Sequence, residues 1–95
     1  MAVTEGTTST GFAYRFDTER LDDMRFVDVL AELVDPDTPE FEQLIACSQL
    51  LTMMLGREQK QALYAHVAER NGGRAPVAAV QTELGEIMGN AGKNS

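Results

Sequence analysis

The side chains with the most chemical potential are His66, Cys47 and the carboxylate pair Asp22-Asp23, and each stands apart from the partners chemistry would need. His66 is the only histidine, in an ordinary helical segment without nearby ligands, and reads as a surface or rim residue. Cys47 is the only cysteine. It has no basic neighbour to lower its pKa, and apolar surroundings make an inert core thiol of it rather than a nucleophile. Asp22-Asp23 has donors for a hard cation, but acids at the start of a helix need no ion to explain them. Gly72-Gly73 lacks the strand-to-helix setting of a phosphate-binding loop. No triad, metal-ligand spacing or acid–base pair emerges. The chain reads as a non-enzyme with no catalytic residues, no cofactor and no metal.

The elements that position these residues are organised around residues 44–55, Leu-Ile-Ala-Cys-Ser-Gln-Leu-Leu-Thr-Met-Met-Leu, nine apolar in twelve and uncharged. At helical spacing the apolar positions other than Ile45, which lies among Ser48, Gln49 and Thr52, fill an arc of roughly 200°. Such a helix must be covered from more than one side. At about 18 Å it is too short to span a bilayer.

Before it, residues 1–11 are polar, rich in threonine and glycine, and read as a flexible N-terminal arm. Phe12, Tyr14 and Phe16 alternate as in a short half-buried strand, for which no convincing partner strand is visible. Asp17 and Thr18 suit the cap of a first turn, and Asp22 or Asp23 the cap of a helix carrying Phe26, Val27, Leu30, Leu33 and Val34. Asp35-Pro36-Asp37-Thr38-Pro39 breaks that helix, with Thr38 as the expected N-cap and Pro39 as the first residue of the next. Gly56 is a natural stop for the central helix. A third helix, 57–70, carries a thinner stripe of Ala62, Leu63, Tyr64 and Val67 and ends at Asn71-Gly72-Gly73. Pro76 opens a fourth, with Val77, Val80, Leu84 and Ile87 at steps of three and four and Met88 adjoining. Residues 89–95 read as a flexible tail. The expected fold is all-α: about four helices around a central apolar one, in a single helical domain over 12–88.

The net charge of −7 is uneven. Ten acids lie between Asp17 and Glu42 against Arg20 and Arg25, whereas residues 57–74 are slightly basic. That acidity argues against nucleic acid, as does the greasy helix before Gly56 against a helix-turn-helix. It suits either a solvated surface or polar, head-to-tail contact between copies of a homo-oligomer. The lone cysteine, the polar start and the lack of a membrane-length apolar run fit a cytoplasmic protein. Met53, Met54 and Met88 suit either gap-filling in the core or a pliable face for a partner. On the apolar pattern alone, Leu50, Met53, Met54, Leu84, Ile87 and Met88 are the expected partner-binding residues.

Leu21-Asp22-Asp23-Met24 at a helix start, Leu55-Gly56-Arg57-Glu58-Gln59 with Ala62-Leu63, Gly73-Arg74-Ala75-Pro76, and the closing Gly92-Lys93-Asn94-Ser95 form an ordered set. In order and spacing they resemble the tail assembly chaperones of long-tailed bacteriophages and prophages of Gram-positive bacteria, from about Phe16 to the end. The resemblance implies a holdase that coats the helical tape measure protein, keeps it soluble, and is displaced as the tail tube polymerises. It implies self-association and no catalytic residues. It also implies a longer, frameshifted form, arising near Lys93-Asn94, that contacts the tail tube protein. The rival readings are a small acidic helical adaptor or inhibitor and a structural subunit of the particle.

Overall fold

The computed structural model describes residues 2–93. It begins with an antiparallel hairpin of β1 (Val3–Thr7) and β2 (Ala13–Asp17). A short 3-10 turn (Thr18–Leu21) leads into α1 (Met24–Val34), then α2 (Glu40–Arg70), then α3 (Val77–Lys93). Three helices and a two-stranded sheet make this a small α+β domain, which corrects the all-α bundle expected from the sequence.

The correction lies in the residues expected to be a loose arm. β1 pairs with β2 in the register Val3↔Asp17, Thr4↔Phe16, Glu5↔Arg15, Gly6↔Tyr14 and Thr7↔Ala13. Its outer face is Val3, Glu5 and Thr7; its inner face is Thr4, which is buried, and Gly6. An inner face of threonine and glycine gives no apolar alternation, so the strand is invisible to pattern reading. Gly6 is required for space, because a Cβ there would lie 2.6 Å from the Tyr14 hydroxyl oxygen. The apolar alternation on the other strand is real: Phe12, Tyr14 and Phe16 all point into the core.

β2 is held on its other side by one side chain. The Arg15 N–H donates to Gln59 Oε1 at 2.9 Å, and Gln59 Nε2 donates to the Arg15 carbonyl at 2.6 Å. A single amide thus does for β2 what a third strand would do, satisfying both backbone groups of its middle residue.

α1 starts where Asp23 accepts from the Arg25 N–H at 2.9 Å, and the 3-10 turn starts where Asp17 accepts from the Glu19 N–H at 2.9 Å. Both are local Asp caps. α2 begins one residue later than expected, at Glu40, with Pro39 rather than Thr38 in the capping position and no side-chain cap. The turn is organised instead by Asp35, whose carbonyl receives the Thr38 N–H and Gln43 Nε2, and whose carboxylate receives the Asp37 N–H.

α2 is broken at Gly56, which has φ 81° and ψ 163°. The break strands carbonyls at the end of the 40–55 half. Arg20 Nη1 donates to the Met54 carbonyl at 3.1 Å, and Gln59 Nε2 to the Leu55 carbonyl at 2.8 Å. Leu50, Leu51, Met54, Leu63 and Ile87 are fully enclosed, each worth roughly 1.5–3 kcal/mol of burial. Around them lie the hairpin aromatics, Phe26 of α1, and Val80, Leu84 and Ala91 of α3. Ala62, expected on the apolar stripe, faces solvent.

α3 runs on to Lys93, so residues 89–93 of the expected loose tail are helical. Ala91 is buried against the core, which gives the last turn something to pack on. Met1, Asn94 and Ser95, which the arm and tail expectations also covered, lie outside the described residues. No helix among the described residues is long and apolar enough to cross a membrane.

Candidate functional site

The hairpin loop brings together groups far apart in sequence. Thr8 Oγ1 and Thr10 Oγ1 each donate to Glu83 Oε1 at 2.8 Å, and Thr10 Oγ1 also lies 2.9 Å from His66 Nε2. Next to them, the Ser9 N–H and hydroxyl donate to the two oxygens of Glu86 at 2.8 and 2.9 Å. The Phe12 N–H donates to Thr8 Oγ1, and the Phe12 ring sits 5.7 Å from the His66 ring. Glu83 is only 2 % exposed.

Hydroxyl, imidazole and carboxylate meet in one cluster, with the Thr10 oxygen within hydrogen-bond distance of both the Glu83 carboxylate and His66. An activated nucleophile gives its proton to the histidine. When the Thr10 hydroxyl donates to Glu83 Oε1, its contact with His66 is a hydrogen bond in the tautomer that carries the proton on Nε2. The cluster is a latch that satisfies a buried carboxylate and fastens the hairpin loop to α3. Pattern reading missed Glu83 and Glu86. The available signal was an acid on the same helical face as Val80, Leu84 and Ile87, matched by a hydroxyl-rich segment that needed acceptors.

The other chemically able residues are also occupied structurally. Asp23 caps α1 and holds Arg25 through its carboxylate at 2.7 Å. The hydrogen bonds from the Arg25 side chain and backbone keep the Asp23 carboxyl below its usual pKa, and the Arg25 guanidinium is raised in return. No group of three or more metal-binding side chains occurs among the described residues. Cys47 is a free, buried thiol whose pKa is pushed up by burial. It borders a shallow apolar hollow of about 170 Å³ between α2 and the start of α3, walled by Leu44, Tyr64, Val77 and Val80 among others.

The six residues expected to receive a partner belong to the core instead. Leu50, Met54, Leu84 and Ile87 are buried, and Met53 and Met88 are half-buried against the same cluster. They are apolar because the hairpin, α1 and α3 close over them. The exposed apolar side chains lie elsewhere.

Met24, Val27, Ala31 and Val34 follow one another along α1 at steps of three, four and three, and all are exposed. On a helix that spacing makes a stripe about 80° wide. It lies away from the face of Phe26, Val29, Leu30 and Leu33 that meets the core. Across the turn, Phe41 and Ile45 stand one helical turn apart on the outside of α2. Met24 is 69 % exposed, Val34 68 % and Phe41 73 %. Residues 22–45 also hold Asp22, Asp23, Asp28, Glu32, Asp35, Asp37, Glu40 and Glu42 against Arg25 alone, a balance equal to the whole net charge of −7. The remainder of the chain carries seven acids and seven bases. Residues 22–45 therefore combine five of the seven exposed large apolar side chains among the described residues with a charge equal to the whole net charge.

No family model, curated protein or solved structure matches this chain. Fold and surface define the class on their own: a small α+β domain that exposes acidic and apolar side chains together along α1 and the start of α2.

Proposed function

We propose that this protein is a non-catalytic binding module that acts as a tail assembly chaperone in the host bacterial cytoplasm, holding the helical tape measure protein soluble until the tail tube forms around it. The observation that carries this reading is the open face of α1 and early α2, where Met24, Val27, Val34, Phe41 and Ile45 are presented to solvent amid carboxylates. A holdase needs an apolar surface to engage its client and charge to keep itself dispersed. The ordered sequence segments that resemble the chaperone family point the same way. A longer form extending beyond Asn94-Ser95 would add a second contact, to the tail tube protein, in the same chain.

The acidity of the same face also favours a second reading, an adaptor or inhibitor that masks a basic site on a folded partner. Co-expression separates the two. Co-expressed with a long coiled-coil tape measure protein, this chain should move that protein from the pellet to the soluble fraction, at several copies per client. An insoluble client in its presence refutes the chaperone role, and a one-to-one complex with a folded protein supports the adaptor.

A further inference from the structure

The chemistry of the open face restricts what can cover it. We propose that the α1 stripe and the first turns of α2 receive a basic amphipathic helix, whose apolar side chains sit on Val27, Val34, Phe41 and Ile45 while its lysines or arginines meet the flanking carboxylates. This rests on the binding-module reading above, but not on the identity of the client.

A helical partner fits because the exposed apolar residues of α1 form one stripe along the length of an eleven-residue helix, a surface onto which a second helix can pack lengthwise. The docking helix would present its own apolar anchors at i, i+3, i+4 and i+7 to this surface. The partner is basic because residues 22–45, which carry the stripe, hold eight carboxylates against one arginine. Complementary charge speeds encounter and sets orientation, and like charge excludes wrong partners.

The same charges argue against the other occupants. A second copy meeting face to face would set one −7 region against another, and the slightly basic residues 57–74, with four bases against two acids, are a weak complement to it for a head-to-tail contact. Anionic membrane surfaces and nucleic acid phosphates are repelled. The hollow beside Cys47 is less telling, since neither charge nor a stranded polar group there points to a ligand.

Three synthetic peptides of about 20 residues, long enough to hold a helix on docking, test the proposal by amide NMR titration of the full chain. The first has leucines on one helical stripe and lysines elsewhere. The second replaces lysine by glutamate. The third keeps the composition of the first but scatters the leucines. The first should bind with shifts centred on residues 24–45, and weaken about tenfold or more between about 50 mM and about 500 mM salt. The second should show no binding, and the third should bind at least about tenfold more weakly. Val27→Ser with Phe41→Ser, both at exposed positions, should weaken the first about tenfold while leaving the circular dichroism melt in place.

Equal binding of the acidic or scattered peptide, or shifts elsewhere on the molecule, overturns the proposal. So does a sedimentation profile in which the chain buries this face in its own dimer. If the first peptide fails while the coiled-coil client is still kept soluble, this inference falls and the chaperone role stands. The reverse pattern refutes only the chaperone role.

Discussion

Replacing glycine by alanine should have opposite effects at two positions in this chain. At Gly56 the backbone has φ 81° and ψ 163°, a region open in practice only to glycine. An added Cβ meets nothing closer than Arg20 Nη1 at 3.8 Å, so the penalty is conformational rather than a clash. Holding alanine there costs about 1–3 kcal/mol. The stiffer unfolded chain offsets about 0.4–1 kcal/mol of it. The net loss is about 1–2 kcal/mol, or a fall of about 5–15 °C in Tm for a domain of this size. At Gly85, on the exposed side of α3, the added methyl has nothing within 4 Å and no positive φ to maintain. Helix propensity there predicts a gain of about 0.5–1 kcal/mol. Thermal and urea melts followed by far-ultraviolet circular dichroism measure both. The reasoning fails if Gly56→Ala melts at or above the parent, because α2 would then run through residue 56 without the left-handed break. It fails equally if the two variants shift in the same direction.

Tyr14→Phe should leave stability unchanged or raise it by about 1 kcal/mol, because the buried Tyr14 hydroxyl finds no hydrogen-bond partner among the described residues; a loss above that in a thermal melt would mean the hydroxyl has one. Glu83→Ala should cost about 2 kcal/mol by removing the acceptor of both threonine hydroxyls, and should speed amide exchange at Phe12. Unchanged exchange there would show that the latch does not hold the hairpin. Cys47 should resist alkylation in the native protein and react as fast as a free thiol once urea unfolds it, since burial both covers the thiol and raises its pKa. Because the folded thiol holds its proton more tightly than the unfolded one, this contribution to stability is complete below the pKa of the unfolded thiol and is lost as pH rises through the folded pKa. A Cys47→Ala variant should therefore lose less stability than the parent between neutral and strongly alkaline pH.

The sequence alone determined the parts of this protein that depend on neighbours in the chain. Asp17 and Asp23 announce their helix starts because a cap needs only its own side chain and the next two amides. Residues 44–55 announce a buried helix because a run that apolar cannot face water on most sides. The break at Gly56 and the end of α1 at Val34 follow from glycine and proline backbone preferences. None of these needs a distant residue.

What tertiary structure decided depends on groups that meet across the fold. β1 shows no strand pattern because its buried face is Thr4 and Gly6, chosen to fit Phe16 and Tyr14 opposite. Glu83 enters the core because Thr8 and Thr10, more than seventy residues away in sequence, bring it hydroxyl protons. Leu50 and Met54 looked available to a partner because an apolar helix face reads the same whether another helix or solvent lies over it. Only the docking of the hairpin, α1 and α3 settles which faces close. That docking leaves Val34 outside, since Phe26, Leu30 and Leu33 already occupy the inner side of α1.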